Sequence, residues 1–416
     1  MLKLSLFGVA VWCFTASIFV GCTCQTGESP EGAIIDSGFA RASVQLTNML
    51  DTVAKYKTDN RFLPKSVGKD GKNTLSGIYD WTSGFFPGSL WYLYEYSQDQ
   101  RWKAEAEKWT AFLEPVKDFH GHHDVGFMIY SSYGNGYRLT GNDAYKTVII
   151  QAARSLSKRY NEKVGAILSW DIDKGWQSER GWMYPVIIDN MINLELLFEA
   201  TELSGDSSFY HIAVSHADRT LENHFRADYS SFHVVDYDSI TGEVRHRHTA
   251  QGVAHESAWA RGQAWGLYGY TLCYRATGDK RYLTQAQHIA DYILNHPNLP
   301  DDLIPFWDFN DPEIPDTYRD ASAGAIIASA LFSLSEMADP GNAAIYKDSA
   351  IEMLQSLSSD AYLAQPGTNN GFILKHSVGS IPHDNEIDVP LSYADYYYLE
   401  ALLKYQTTLG GMPLTF

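Results

Sequence analysis

The chain has 416 residues, which is long enough for one large domain or two ordinary ones. Hydrophobic residues make up 45% of it, far above the level of a disordered protein, so a large core is expected. The net charge of −18 and the absence of any Lys/Arg run disfavour nucleic acid as a partner, and an acidic ligand would have to meet a few local positive groups.

The first 22 residues have the pattern of a secretion signal. A positive start at Lys3 precedes an apolar run over residues 4–20, and Gly21 and Cys22 follow it. A small residue directly before Cys is similar to a bacterial lipoprotein box, which predicts cleavage there and a lipid on Cys22. The alternative is simple secretion with cleavage near the same place. A transmembrane helix is disfavoured because the run is short and a polar linker follows.

Residues 23–35 are predicted to be a tether, and residues 36–416 a single catalytic domain. The signal predicts a location in the envelope of a Gram-negative bacterium, lipid-anchored or periplasmic, with membrane contact only through the lipid. Two cysteines remain beyond the signal and the lipid site: Cys24 in the tether and Cys273 in an apolar helical pattern. They offer neither a disulfide framework nor a zinc pattern.

A recurring sequence motif divides the rest of the chain. It consists of a turn, usually with Gly, then Asp or Asn, then an aromatic residue. Its physical interpretation is a helix stopped at Gly and followed by a tight turn, with Asp or Asn as the N-cap of the next helix. Together with an N-terminal helix over about residues 38–56, these units predict helical repeats of about 45–75 residues. The capping residues are Asp99, Asn142, Asp206, Asp279 and, in a degraded copy, Asp339.

Repeated helix pairs form either an open solenoid or a closed ring. Four long loops, each with Trp, His or Asp, precede the predicted inner helices, and this favours a closed α/α ring in which they converge on one pocket. These loops are residues 121–127, 169–185, 230–251 and 303–319. Residues 232–248 alternate around Asp-Ser-Ile-Thr-Gly and predict a β-hairpin; the ligand ladder of an EF-hand is incomplete there.

The densest chemistry lies in residues 251–270, where a helix is predicted from Ser257 to Tyr274. Two tryptophans, Trp259 and Trp265, flank Arg261. An indole offers a flat apolar face for a sugar ring, and a guanidinium offers a planar fork for a carboxylate or sulfate. The stretch therefore suits a pocket for a sugar acid. The alternative is a buried aromatic helix with one satisfied arginine.

Two carboxylates stand out as candidates for catalysis. Asp189 interrupts an apolar run and is expected on a buried helix face, where an unpaired Asp tends to keep its proton, as general acid work requires. The alternatives are a helix N-cap or a satisfied core Asp for Asp189, and an N-cap for Asp124. A metal site built on His123 and Asp124 is disfavoured because no third ligand has suitable spacing.

Three motifs together resemble one family. They are His123-Asp124-x-Gly126-Phe127, Val186-Ile-Ile-Asp189-x-Met-x-Asn193-Leu, and Gln251-Gly followed by Trp259-Ala-Arg261-Gly-Gln263-Ala-Trp265. Their order and approximate spacing are similar to those of the unsaturated glucuronyl hydrolases, glycoside hydrolase family 88. The segment around Trp81–Trp91 and the tail around Asp388–Glu400 also resemble this family. The resemblance covers about residues 36–408.

The resemblance implies an all-α fold, an (α/α)6 barrel with a short β-hairpin and long loops on the active-site face. It implies removal of a 4,5-unsaturated uronic acid from the non-reducing end of lyase-generated oligosaccharides, by hydration of the C4=C5 vinyl ether. Asp189 would protonate C4 and then activate water toward C5, while Asp124 would hold ring hydroxyls and steady the charge. Neither a metal nor an organic cofactor is expected.

The same resemblance implies a set of substrate-binding residues. His233 would reach the glycosidic region, and Gln251 and Arg261 would lie near the polar edge and the carboxylate. Trp170 shares its loop with Trp176 and Trp182, so its place in the wall is open between the three. The expected set is His123, Trp170, His233, Gln251, Trp259, Arg261 and Trp265.

Two other functions stay open at this point. One is the related unsaturated rhamnogalacturonyl hydrolases, with the same ring and chemistry but a pectin substrate. The other is a glycan-binding lipoprotein without catalysis, which the two carboxylates disfavour. The loop of residues 374–383 is rich in groups that suit a sulfate on the next sugar, and this favours a glycosaminoglycan substrate. The alternative for the loop is ordinary solvated surface.

Overall fold

The computed structural model describes residues 30–410. Two kinds of helix alternate along this part of the chain. Six outer helices are α1 (Pro30–Tyr56), α3 (Gln100–Ala111), α6 (Asp143–Ser157), α8 (Ser207–Asn223), α10 (Lys280–Leu294) and α12 (Pro340–Leu357). The inner helices are α2 (Phe85–Ser97), α4 (Val125–Ile129), α5 (Asn135–Thr140), α7 (Asn190–Ser204), α9 (Ala260–Thr277), α11 (Ala321–Ser335) and α13 (Ser392–Leu409). A π-helical turn, Tyr130–Gly134, joins α4 to α5, so the two act as one inner element.

The pattern of buried residues distinguishes inner helices from outer helices. Every residue of α11 is buried, as expected for a helix surrounded by others on all sides. The outer helix α10 instead buries one stripe at spacings of three and one, which faces the inner ring. The buried residues of α10 are Tyr282, Gln285, Ala286, Ile289, Ala290 and Ile293.

The inner elements pack side by side in chain order, and α13 packs against α2, which closes the ring. Each inner element also contacts its own outer helix, with α1 against α13 completing the sixth pair. The expected (α/α)6 barrel is therefore confirmed. Each predicted capping residue accepts a hydrogen bond from a backbone N–H in the first turn of an outer helix: Asp99, Asn142, Asp206, Asp279 and Asp339.

Short strands lie in the loops that connect the helices. β1 (Leu63–Val67) pairs with β2 (Asn73–Ser76), and β3 (Tyr160–Asn161) pairs with β4 (Ala166–Ile167). The predicted hairpin is present as β6 (Val234–Tyr237) and β7 (Val244–His248). β5 (Pro185–Ile187) adds to β6 as a third antiparallel strand, which the sequence did not indicate.

Several boundaries differ from those expected. Helix α1 begins at Pro30 rather than near residue 38, so residues 30–35 of the predicted tether are helical, and Ile35 is buried in the core. Helix α9 runs from Ala260 to Thr277, three residues later at each end than predicted. The signal, the lipid site and the rest of the tether lie outside the described residues. None of the helices within residues 30–410 is long and apolar enough to cross a membrane.

Candidate active site

The loops before the inner helices meet at one end of the barrel and enclose a cavity in two connected parts. The inner cavity is lined by Trp81, His123, Asp124, Trp170, Ile187, Asp189, Gln251 and Arg261. The outer cavity, of about 510 Å³, shares Trp81, Trp170, Gln251 and Arg261 and adds side chains nearer the surface. That volume lies in the range of small-ligand sites. The added residues include Lys65, Trp176, Gln177, His383 and Glu386.

Asp189 lies between β5 and α7, at the residue before the helix, and not on a helix face as expected. Although it occupies the N-cap position, its side chain makes no capping hydrogen bond. Its Oδ2 atom is buried and has no hydrogen-bond partner among the described residues. Burial raises the pKa of Asp189 to about 7, with the negative charge of Asp124 adding to the effect and Arg261 opposing it. A carboxyl in this state holds its proton in mildly acidic to neutral solution and can donate it.

Asp124 has the opposite character. It precedes α4, again without a capping bond, and its two oxygens lie 3.0 Å from His122 Nδ1 and 3.2 Å from His123 Nε2. Burial disfavours its charge, but the two imidazoles outweigh burial, and the pKa of Asp124 is lowered. Asp124 is therefore ionised where Asp189 is still protonated. His122 was not among the predicted site residues, although its place beside His123 and Asp124 in the sequence was a usable signal.

Two fully buried histidines flank the carboxylates. Burial lowers the pKa of His123 to about 4 and lowers the pKa of His233 well below its ordinary value of 6.5, so both are neutral near pH 7. His233 Nδ1 accepts hydrogen bonds from the backbone N–H groups of Ala250 and Gln251, at 3.1 and 3.2 Å. The ring proton is therefore on Nε2, which lies 3.6 Å from Asp189 Oδ2. His233 thus lies behind the residues that line the cavity, with Nε2 near the carboxyl but beyond hydrogen-bond distance.

The three tryptophans of this loop differ in how they lie relative to the cavity, and which of them contacts the substrate stays a prediction. Trp170 lines both parts of the cavity, and Trp176 lines the outer part. Trp182 is buried behind Trp170, with ring centroids 5.7 Å apart and nearly parallel planes. A fourth indole, Trp81, lines both parts as well and was missed as a site residue. The motif that contains it was noticed, but nothing in its pattern separated Trp81 from the core aromatics around it.

Trp259 and Trp265 do not line the cavity. Trp259 packs against the ring of His233, with 4.7 Å between centroids. Trp265 is fully buried between Phe127 and Tyr397, at 5.1 and 5.4 Å. Both therefore lie behind the residues that line the cavity, and a direct contact of either with the substrate stays a prediction.

Arg261 lines both cavity parts, yet its guanidinium is bonded within the protein. Nη1 lies 3.0 Å from the buried Asp320 carboxylate and also donates to the carbonyl of Val378, and Nη2 donates to the carbonyl of Gly379 at 2.6 Å. The acid comes from another repeat, since Asp320 precedes α11. The geometry thus favours the bracing alternative, and binding of a uronate carboxylate by Arg261 stays a prediction. Gln251 donates to the same Gly379 carbonyl, at 3.1 Å.

The outer cavity contains a second missed group. Lys65, on β1, forms ion pairs with Asp80 at 3.0 Å and with Glu386 at 3.7 Å. No motif surrounds Lys65 in the sequence, and its partners lie 15 and 321 positions away, so local pattern could not reveal it. Among residues 30–410, no three His, Cys, Asp or Glu side chains come together as metal ligands.

No family model matches this chain, but individual proteins do. The unsaturated glucuronyl hydrolase of Formosa agariphila is 50% identical over 331 residues, which cover 79% of this chain and 81% of that protein. The unsaturated chondroitin disaccharide hydrolase of Streptococcus pneumoniae is 37% identical over 333 residues, covering 78% and 82%.

Solved structures agree with these relatives. The crystal structure of an unsaturated glucuronyl hydrolase specific for heparin aligns with a TM-score of 0.85 and 47% identity, over 92% of this chain and all of that one. The unsaturated glucuronyl hydrolase of Bacillus sp. GL1 aligns with a TM-score of 0.81 and 29% identity over 89% of this chain. The ring of helix pairs, the two unlike carboxyls and these similarities lead to one conclusion: the chain belongs to the unsaturated glucuronyl hydrolases, glycoside hydrolase family 88.

Proposed function

We propose that this hydrolase removes the 4,5-unsaturated uronic acid from glycosaminoglycan fragments produced by a lyase, with Asp189 as the proton donor. One observation carries the assignment of roles. Asp189 and Asp124 line the same inner cavity, and their surroundings move their pKa values in opposite directions. Such a pair provides one acid and one anion at the same pH, which is how carboxyl groups divide catalytic work.

The chemistry follows from these two states. Asp189 gives its proton to C4 of the unsaturated ring, and positive charge develops at C5 and the ring oxygen. The ionised Asp124 stabilises this charge, and the burial of its side chain strengthens the effect. Asp189, now a carboxylate, takes a proton from the water that adds to C5. The resulting hemiketal opens and releases the remaining sugar.

The substrate class is proposed from the relatives. The first two have names that refer to unsaturated glucuronyl and chondroitin disaccharide substrates, and a solved neighbour is described as specific for heparin. The test is a panel of lyase-made disaccharides, followed by the absorbance of the C4=C5 bond. Loss of absorbance with glycosaminoglycan disaccharides supports the proposal. Loss with pectin-derived disaccharides alone would favour the rhamnogalacturonyl alternative, and no loss would favour a glycan-binding protein.

The pH dependence of kcat/KM tests the role of Asp189. Its pKa of about 7 belongs to the free enzyme, and the protonated form is the one that acts. We therefore expect kcat/KM to be level below about pH 6 and to fall about tenfold for each pH unit well above 7, as for any single required acid. Asp124 stays ionised across this window because its pKa is lowered. Activity that rises between pH 6 and 9 would contradict this assignment.

The location is proposed from the sequence of residues 1–22 alone. Gly21 and Cys22 after an apolar run support cleavage and lipidation at Cys22, with the enzyme held on the periplasmic side because no acidic cluster follows. The Cys22→Ala substitution is expected to move the enzyme out of the membrane pellet when cells that express it are fractionated. Cys24→Ala is the matched control and is expected to stay in the pellet. A Cys22→Ala variant still in the pellet would contradict the lipid anchor.

A further inference from the structure

An arginine that the mechanism does not use lies beside Trp176 of the outer cavity, although it is not itself a lining residue. The loop between β4 and β5 contains a 3-10 turn, Gly175–Glu179, and Arg180 follows it directly. The guanidinium of Arg180 lies over the rings of Trp176 and Trp182, at 5.2 and 5.7 Å from their centroids. Arg180 is exposed, whereas Trp176 lines the outer cavity. The stacking therefore holds an exposed cation next to a residue that lines the cavity.

Lys65 and Arg261, which line the outer cavity, are already paired with carboxylates of the protein. Lys65 is paired with Asp80 and Glu386, and Arg261 with Asp320. Arg159, behind the loop, is paired with Asp171 at 3.0 Å. Arg180 forms neither an ion pair nor a side-chain hydrogen bond with any residue in the range 30–410. Arg180 is therefore a cation beside this cavity that can receive an anion from outside the protein.

The geometry also indicates which part of a substrate Arg180 would meet. The reacting ring belongs in the inner cavity, where Asp124 and Asp189 lie, so the next sugar occupies the outer cavity against Trp176. The ring of His383 lies 4.8 Å from that of Trp176, and burial, together with the charge of Arg180, lowers the pKa of His383. His383 is therefore neutral near pH 7 and does not compete for the anion.

We propose that Arg180 is a specificity residue that binds a sulfate group on the second sugar while Trp176 packs against that sugar's ring. The inference rests on the proposed function, since it needs an unsaturated uronide in the inner cavity. A guanidinium presents paired donors that match the oxygens of a sulfate, and its plane stacks on indole while it does so. In a chain with a net charge of −18, a local cation of this kind also offsets the repulsion of an anionic substrate.

The test compares two unsaturated disaccharides that differ only by a sulfate on the second sugar. The measured quantity is the ratio of kcat/KM for the sulfated to that for the unsulfated disaccharide, taken within each variant so that general damage cancels. In Arg180→Gln we expect this ratio to fall about 5- to 10-fold, a moderate value because the contact is open to solvent. Arg180→Lys is expected to retain part of the ratio, because an ammonium keeps the charge but not the fork.

Lys174→Gln is the matched control, since Lys174 is an exposed cation of the same loop and is paired with Asp171 at 3.5 Å. Its ratio is expected to equal that of the wild type. A ratio in Arg180→Gln equal to the wild-type ratio, or an equal fall in Lys174→Gln, overturns the proposal. If the wild type leaves both disaccharides uncleaved, the proposed function has failed. The calorimetric Kd ratio for the same pair then decides the role of Arg180 on its own.

Discussion

Replacement of Asp189 by Asn is expected to lower kcat by about 10²- to 10⁴-fold while the fold is retained. An amide has nearly the shape of the protonated carboxyl but cannot deliver a proton to C4. The carboxyl is buried, and its Oδ2 atom has no hydrogen-bond partner among the described residues, so the substitution breaks few contacts there. The measurement is steady-state turnover by the absorbance of the C4=C5 bond, together with the melting temperature.

The same substitution is expected to change the pH dependence of the protein's stability. The pKa of Asp189 is about 7 in the folded protein and near its ordinary value of 3.8 when unfolded. The folded state thus binds this proton more tightly, so its contribution to stability is complete below about pH 4 and is lost between pH 4 and 7. The amide of the variant does not ionise at any of these pH values. The melting temperature of Asp189→Asn relative to the wild type should therefore rise from pH 4 to pH 7 and then level off.

Asp395 offers a control for Asp189, because its pKa is also raised by burial but its oxygens are hydrogen-bonded. Burial raises the pKa of Asp395 to about 8, yet both oxygens accept backbone N–H groups, from Ile373 and Leu374 at 2.9 and 2.8 Å. Asp395→Asn keeps one accepting oxygen but places the amide NH₂ against the other backbone N–H donor, so we expect a lower melting temperature and turnover of the same order as the wild type. Comparable turnover in Asp189→Asn and the wild type would remove Asp189 from the catalytic role.

Local pattern in the sequence predicted the helix pairs and favoured a closed ring, and it pointed to the two candidate carboxyls, whereas the number of six pairs was implied by the family resemblance. The turn-and-cap motif predicts helix starts because an Asp or Asn side chain accepts a hydrogen bond from the backbone N–H two residues later, as Asp279 does from Arg281. This bond needs no tertiary contact. Asp189 could be identified because a carboxyl within an apolar run is costly to bury unless it has a partner or a chemical role, whereas the role of Asp124 was implied by its motif. Their N-cap positions could not be excluded, since a capping bond is seen only in the coordinates.

Side chains whose state depends on distant partners could not be predicted. Lys65 forms an ion pair with Glu386, which is far away in the sequence. Trp170 and Trp182 lie in the same loop, and only the structure shows that Trp182 is the one packed behind the other. The segment that carries Glu386 is also unusual in its backbone. Within residues 376–388, four residues other than glycine have positive φ, which tertiary contacts must maintain. They are His376, Asp384, Glu386 and Asp388.

Arg261 is the case in which the structure changes the expected result most. Its guanidinium lies 1% exposed beside Asp320 and bonds to the carbonyls of Val378 and Gly379, the start of the segment that lines the outer cavity. Arg261→Gln leaves the Asp320 carboxylate buried without its cation. Breaking a buried pair in this way costs about 3–5 kcal/mol in the free energy of unfolding. We therefore expect a large fall in melting temperature, measured together with kcat/KM.

A double-mutant cycle separates the brace from the substrate role predicted for Arg261. If Arg261 and Asp320 act as a pair, Arg261→Gln and Asp320→Asn each destabilise strongly, and the double variant loses much less than the sum, since neither charge is then left alone. Arg261→Lys should recover part of the stability but not the two carbonyl contacts, because an ammonium lacks the fork. If Arg261 instead binds the uronate carboxylate, Arg261→Gln loses about 10- to 150-fold in kcat/KM, the equivalent of about 1.5–3 kcal/mol, with little change in melting temperature. Additive losses of stability in the cycle would show that the ion pair is not what holds residues 378–379 against the cavity.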